Sequence, residues 1–277
     1  VITNSPPDIE LSENALKVLE RRYLLRNKEG NIDETPDQLF RRVAKAVAEA
    51  ELSWGNNRDA GKWEEKFYAA MSKLLFLPNS PALMNAGTGY HQLSACFVLP
   101  VEDNMNSIFT TLKQAALIQQ SGGGTGFNFS HLRPRDDRTS ATGGTASGPV
   151  SFMKIFDAAT EHIKQGGRRR GANMGILNVN HPDIEEFIVA KKEKAALNNF
   201  NISVGITDDF MKAAEVRGTW NLVHPNSKKT IKTVDAKRLW YTIVETAWQT
   251  GDPGLIFYDT INQHNPTPAL GIMESTN

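Results

Sequence analysis

The residues of this chain that could do chemistry are few, and most lie between positions 94 and 172. Cys96 is the only cysteine in 277 residues. It stands in Ser94-Ala95-Cys96-Phe97-Val98-Leu99-Pro100, a short apolar run with strand character. A cysteine alone in such a run commonly packs as a small core hydrophobe. The other reading is a redox thiol that faces a pocket and has its partner elsewhere. Gly122-Gly123-Gly124-Thr125-Gly126 follows about one crossover later. It lacks both the Gly-Lys-Ser/Thr ending of a Walker loop and the spacing of a dinucleotide fingerprint. Contiguous glycines still allow close backbone approach, and their N–H groups can hold an anion. A plain packing role is the alternative.

Two basic loops come next. Lys164-Gln165-Gly166-Gly167-Arg168-Arg169-Arg170-Gly171-Ala172 follows an apolar helix. It reads as a solvated helix end that welcomes cations, or as a flexible phosphate clamp with bidentate arginine forks. Arg133, Arg135 and Arg138, with Thr142-Gly143-Gly144-Thr145, form the second loop. Asp103 precedes a helix expected to start near Ser107. It is either an acid at the positive end of the helix dipole or a carboxylate that takes hydrogen bonds from sugar hydroxyls. Two basic loops, an acid and a glycine platform within about seventy residues point to nucleotide polyphosphates.

The elements that must position these residues fall into two regions. Residues 1–75 read as a helical domain without a chemical motif. Helices are predicted over 12–25, from Thr35 onward, and over 62–75. Thr35-Pro36-Asp37-Gln38 has the N-cap, the first-turn proline and the reciprocal glutamine of a capping box. Leu39, Val43 and Val47 should line one buried face. Pro78 and Pro81 end the helical region and call for an extended segment. From 76 to 277 strands and helices alternate. Strands are predicted at 95–99, 126–130, 174–179, 200–206 and 255–258. Helices are predicted at 107–120, 150–163, 182–192, 208–215 and 236–249, with an inserted hairpin over 219–234. Such alternation favours an α/β sheet or barrel with parallel neighbours.

Composition narrows the function. Lysine and arginine number 31, aspartate and glutamate 31. This balance argues against a dedicated nucleic-acid binder. No run of eighteen apolar residues suits a membrane span, and the first residues lack the pattern of a signal peptide. One cysteine excludes an internal disulfide framework and fits a reduced, cytoplasmic thiol. The six histidines lack paired metal-ligand spacing, so no metal site is expected from this chain alone.

Several runs in order then carry a resemblance. They are Pro78-Asn79-Ser80-Pro81, Leu93 through Val98, Gly122 through Ser130, Lys164 through Gly175, Asn180 through Phe187, Gly251-Asp252-Pro253-Gly254 and Ser275-Thr276-Asn277. Together they resemble ribonucleotide reductase, most closely the adenosylcobalamin-dependent class II enzymes, over nearly the whole chain. The resemblance implies reduction of the ribonucleotide 2′-hydroxyl by thiyl-radical chemistry. The implied fold is a ten-stranded α/β barrel built of two parallel half-barrels, of which this chain holds the first. Cys96 then looks like one of two thiols that supply reducing equivalents and end as a disulfide. Ser80, Ala95, Gly123, Gly124 and Arg169 match substrate-contacting positions. Asp103, Arg133 and Arg138 match the site of a deoxynucleotide or ATP effector. Lys164 and Gln165 open the loop that reports that effector to the substrate site.

The family implies a homodimer with the effector site at its interface, and reduction by a thioredoxin-like or small dithiol. It also implies adenosylcobalamin as the radical source, with no binding residues identified. In the family, Ser-Thr-Asn continues into Pro-Cys-Gly-Glu, which contains the thiyl cysteine. A catalytically inactive fragment is therefore expected, whether from truncation, a split gene or an intervening element. A class I large subunit, served by a separate metal-containing radical subunit, is the rival enzyme. A non-catalytic nucleotide-binding or assembly module is the rival of another kind.

Overall fold

The computed structural model describes residues 9–53, 57–138, 143–163, 171–192 and 196–277. The chain forms two compact units that divide between Ala95 and Cys96. The first is helical: α1 (Glu13–Arg22), α2 (Pro36–Ala48), α3 (Asn57–Ser72) and α4 (Ser80–Asn85). Thr35 and Gln38 close the capping box as their spacing predicts, with Pro36 at the start of the helix. Leu39 and Val43 are buried, but Val47 is exposed and Ala44 and Ala48 are buried instead. A strict four-residue spacing drifts off the buried stripe of a helix that turns every 3.6 residues. The extended segment expected over 76–81 ends earlier than that, at Asn79, since Ser80 and Pro81 open a short helix. The Asn79 side chain accepts from the Ala82 N–H and caps α4, with Pro81 in its first turn, where a missing N–H costs nothing.

The second unit alternates strand and helix: β1 (Cys96–Leu99), α5 (Met105–Gln120), β2 (Gly124–Asn128), α6 (Pro149–His162), β3 (Asn173–Asn178), α7 (Ile184–Val189), β4 (Phe200–Ile206) and α8 (Asp208–Glu215). A hairpin of β5 (Thr219–Val223) and β6 (Thr230–Asp235) is followed by α9 (Ala236–Thr250), β7 (Gly254–Phe257) and α10 (Tyr258–Gln263). The main sheet runs β1-β2-β3-β4-β7, and every neighbouring pair is parallel. This is a helical domain followed by an unclosed parallel α/β sheet, as part of a reductase barrel would be. Strand β2 starts at Gly124, two residues before its predicted start. Glycine has little strand preference, so the sequence pattern points to Phe127 and Phe129 instead.

The register gives the two faces of this sheet different characters, because successive strand residues point to opposite sides. One face carries Phe97, Leu99, Phe127, Leu177, Phe200, Ile202, Val204 and Ile206. Helices cover it, and Phe127 meets Phe156 of α6 edge-on with centroids 4.9 Å apart. Met153, also on α6, lies where a side chain at Gly175 would be, 2.6 Å from that Cβ position. The other face is mixed, with glycines and polar side chains set among Val98, Met174, Ile176 and Ile256. Its rows are Cys96–Gly124, Val98–Gly126–Met174–Asn201, Asn128–Ile176–Ser203–Gly254 and Asn178–Gly205–Ile256.

Candidate active site on the glycine-lined face

Cys96 opens β1 on this second face, in register with Gly124, and it is exposed. Of the two readings of Cys96, the small core hydrophobe is thereby ruled out. Phe97 and Leu99 of the same apolar run point to the opposite face and leave the thiol where the sheet bears glycines. Gly126, one row further along, would place a Cβ 1.8 Å from the Thr276 carbonyl oxygen and 2.8 Å from the Asn277 Cα. Residues 274–277 therefore run along β2, and the bare backbone of Gly126 is what admits Thr276 and Asn277 there.

Where that segment crosses the carboxyl ends of the strands, a polar cluster receives it. Asn128 Nδ2 donates to the Glu274 carbonyl (2.9 Å) and to the Tyr258 hydroxyl oxygen (3.1 Å). Asn178 Oδ1 and the Glu274 carbonyl lie 2.9 and 3.0 Å from that hydroxyl and share its proton. Burial, and secondly the charge of Glu274, push the Tyr258 hydroxyl above its ordinary value, so it stays a protonated donor. The Glu274 carboxylate meets His131 Nε2 at 3.0 Å, and Glu102 lies 3.5 Å from the other ring nitrogen. Two cavities flank this crossing. One, of about 450 Å³, is lined by Val98, Glu102, His131 and Ser275. The other, of about 530 Å³, is lined by Asn178, Asp259, Asn262 and Gln263.

Asp103 does not cap α5, since Asn104 does. Its carboxylate instead accepts from the backbone and side chain of Arg133, with a closest approach of 2.8 Å, and from Asn226 Nδ2 at 2.7 Å. Asn226 comes from the turn of the β5–β6 hairpin, 123 residues away in sequence. His224 of the same turn meets Asp137 at 3.2 Å. Arg135 pairs with Glu186 at 2.8 Å, and Arg138 bridges Thr145 through the backbone. One acid and one arginine of the sequence-predicted effector set are thus in contact, and a hairpin closes over them.

Ser80 and Ala95 lie in the first unit, where the Ser80 hydroxyl is 2.9 Å from the Tyr23 hydroxyl. Gly123 directly precedes β2. Lys164, Gln165 and Arg169 lie outside the described residues. Sequence reasoning missed Tyr258, Asn128, Asn178, Asn262 and Asn226. The first three stand at or just past the carboxyl ends of parallel strands, the place where such sheets bind ligands, so their position could have flagged them. Asn226 carries no comparable signal. Among the described residues no group of three His, Cys, Asp or Glu could hold a metal ion. No helix among them is long and apolar enough to cross a membrane.

Comparison with known proteins agrees with the order of the two units. Residues 9–91 match the all-alpha domain of ribonucleotide reductase, and residues 94–277 match its barrel domain. A vitamin B12-dependent ribonucleoside-diphosphate reductase of Thermoplasma acidophilum is 47% identical over 98% of this chain and 42% of its own length. The enzyme of that name from Mycobacterium tuberculosis (strain H37Rv) is 49% identical over 98% of this chain and 38% of its own. A ribonucleoside-diphosphate reductase large chain of Neurospora crassa is 33% identical over 94% of this chain and 30% of its own. The chain spans about two fifths of the length of the two B12-dependent relatives. With both domain models matched in order along nearly its whole length, the chain belongs to the ribonucleotide reductase family.

Proposed function

We propose that this chain is the helical domain and first half-barrel of a class II reductase that converts ribonucleoside diphosphates to 2′-deoxyribonucleotides. The observation that carries the reading is the exposed Cys96 in register with Gly124, on the face that Gly124 and Gly126 leave open. Such a face lets a sugar approach the thiol. The reaction replaces the 2′ C–O bond with C–H, and the hydroxyl leaves as water. Two thiols give up two electrons and their protons and become a disulfide, which a thioredoxin-like or small dithiol reopens by exchange. Cys96 is one of these thiols; the other comes from outside these 277 residues, which hold a single cysteine.

The remaining roles follow the same reading. Ser80, Ala95, Gly123, Gly124 and Arg169 contact substrate. Asp103 and Arg133, with Arg138, Lys164 and Gln165, serve a deoxynucleotide or ATP effector at the interface of a cytoplasmic homodimer. The greater identity to relatives named vitamin B12-dependent than to the Neurospora large chain supports class II over class I. Adenosylcobalamin supplies the radical that starts the reaction, as no ordinary side chain does. The two cavities at the strand ends have volumes of about 450 and 530 Å³; the first is lined largely by apolar side chains with Glu102 and His131, the second by amides and Asp259 with Ile272 and Met273. They do not fit a corrin, so no residue of this chain is assigned to it.

The test is reduction of ribonucleoside diphosphates by the full-length protein with a dithiol. Activity should require adenosylcobalamin, and Cys96→Ser should abolish multiple turnover. Activity supported only by a metal-containing radical subunit would place the protein in class I. Undiminished multiple turnover in Cys96→Ser would remove its redox role.

A further inference from the structure

Residues 272–277 form no helix or strand, yet they are held at successive points. Asn262 brackets Met273: its Oδ1 accepts from the Met273 N–H at 2.7 Å, and its Nδ2 donates to the Met273 carbonyl at 3.1 Å. The next carbonyl, that of Glu274, takes Asn128 Nδ2 and the Tyr258 hydroxyl. Two residues on, the Thr276 carbonyl rests against Gly126. Asn128 and Gly126 are likewise two residues apart on β2. The segment therefore descends β2 against the strand direction, and its course points at the next row, Cys96–Gly124.

The sheet gives up a side chain to place the Tyr258 hydroxyl. A Cβ on Gly205 would lie 2.2 Å from the Tyr258 ring, so the bare backbone of β4 is the seat of that ring. Asn178 Oδ1 is a second acceptor within reach, so the hydroxyl keeps a partner whether or not the segment is seated. This is the geometry of a clamp rather than of simple core filling.

We infer that Tyr258, acting with Asn128 and Asn262, is a positioning residue that sets the register at which residues 275–277 lie over the glycine floor beside Cys96. The effect on turnover rests on the reductase reading, while the register itself does not. Two residues of extended chain span at most about 7 Å. Fixing Glu274 therefore fixes where Thr276 and Asn277 stand.

The experiment uses the full-length protein with Tyr258→Phe, which keeps the ring and removes the hydroxyl, and with Asn262→Ala on the neighbouring contact. Amide hydrogen exchange of the peptide covering 272–277 should rise roughly tenfold or more in each variant, with the sheet unchanged. Misplacement by about an ångström costs on the order of a hundredfold in rate, so kcat should fall about 10- to 100-fold with the nucleotide KM within about twofold. Exchange unchanged at 272–277 in both variants, or a loss carried entirely by KM, would overturn the inference. If Tyr258→Phe does not fold, Asn262→Ala decides by the same readouts. A wild-type protein without reductase activity would count against the reductase reading, and the exchange arm would still judge the register.

Discussion

Gly126 and Thr276 touch at a distance no side chain could share: a Cβ on the glycine would sit 1.8 Å from the threonine carbonyl oxygen. The contact joins the floor of the sheet to a segment 150 residues later in the chain. It accounts for a glycine in the middle of a strand, a position where glycine is otherwise unfavourable.

Gly126→Ala should therefore lift residues 272–277 off β2. Overpacking of this kind costs about 1–3 kcal/mol. Because the segment is the movable partner, the change should show as proteolytic sensitivity near Glu274 with the Phe127–Phe156 core intact. A variant as resistant to cleavage there as the parent would show that β2 itself yields instead.

His181 should make stability depend on pH. It is 2% exposed, and burial, with a smaller push from His224, lowers its pKa to about 4. The neutral ring is fully used: Nδ1 accepts from the Asp183 N–H at 3.0 Å and Nε2–H donates to the Leu132 carbonyl at 2.9 Å. Unfolded, the ring titrates near its ordinary value of about 6.5. The unfolded chain thus binds the extra proton first as pH falls. Its contribution to stability is present in full above about 6.5 and is lost progressively down to about 4, by an amount on the order of 3 kcal/mol. Urea unfolding at a series of pH values should show this slope, and His181→Asn should flatten it. An equal slope in that variant would assign the dependence to other groups.

Arg42 and Glu34 should act as a unit in the helical domain. The guanidinium meets both carboxylate oxygens, at 2.7 and 3.1 Å, and also donates to the Leu83 and Ala86 carbonyls of the α4 region. The Glu34 side chain is 5% exposed. Arg42→Met leaves that carboxylate buried without its cation, and such breaks cost about 3–5 kcal/mol. Arg42→Met combined with Glu34→Gln should recover a large part of the loss in a chemical-denaturation cycle. A loss under about 1 kcal/mol in the single variant would sink the argument, since exposed pairs fall in that range.

How much the sequence reveals depends on how local the cause is. The Thr35–Gln38 box was legible because its groups lie within one turn of helix. β4 and α8 run where their patterns predict, since Phe200, Ile202, Val204 and Ile206 alternate with Asn201, Ser203 and Gly205 in the two-residue period of a strand and Thr207 caps the helix that follows. The helix predicted over 182–192 shrinks to Ile184–Val189, because His181 and Asp183 take the entering turn for their own hydrogen bonds. Asp103 and Arg133 were both singled out as binding residues, yet nothing in their spacing of thirty residues announced that they would meet.

By itself the sequence determined the order of the five parallel strands and the helices between them, and the family. These follow from short-range periodicity, capping and turn chemistry, and from long matching runs. Only the tertiary structure decided that Cys96 is exposed, that glycines floor the face it occupies, and that Tyr258, Asn128 and Asn262 converge on Met273 and Glu274. The physical reason is the two-residue period of a strand. A one-residue change of register exchanges the faces of every side chain, and register is set by neighbours that are distant in sequence.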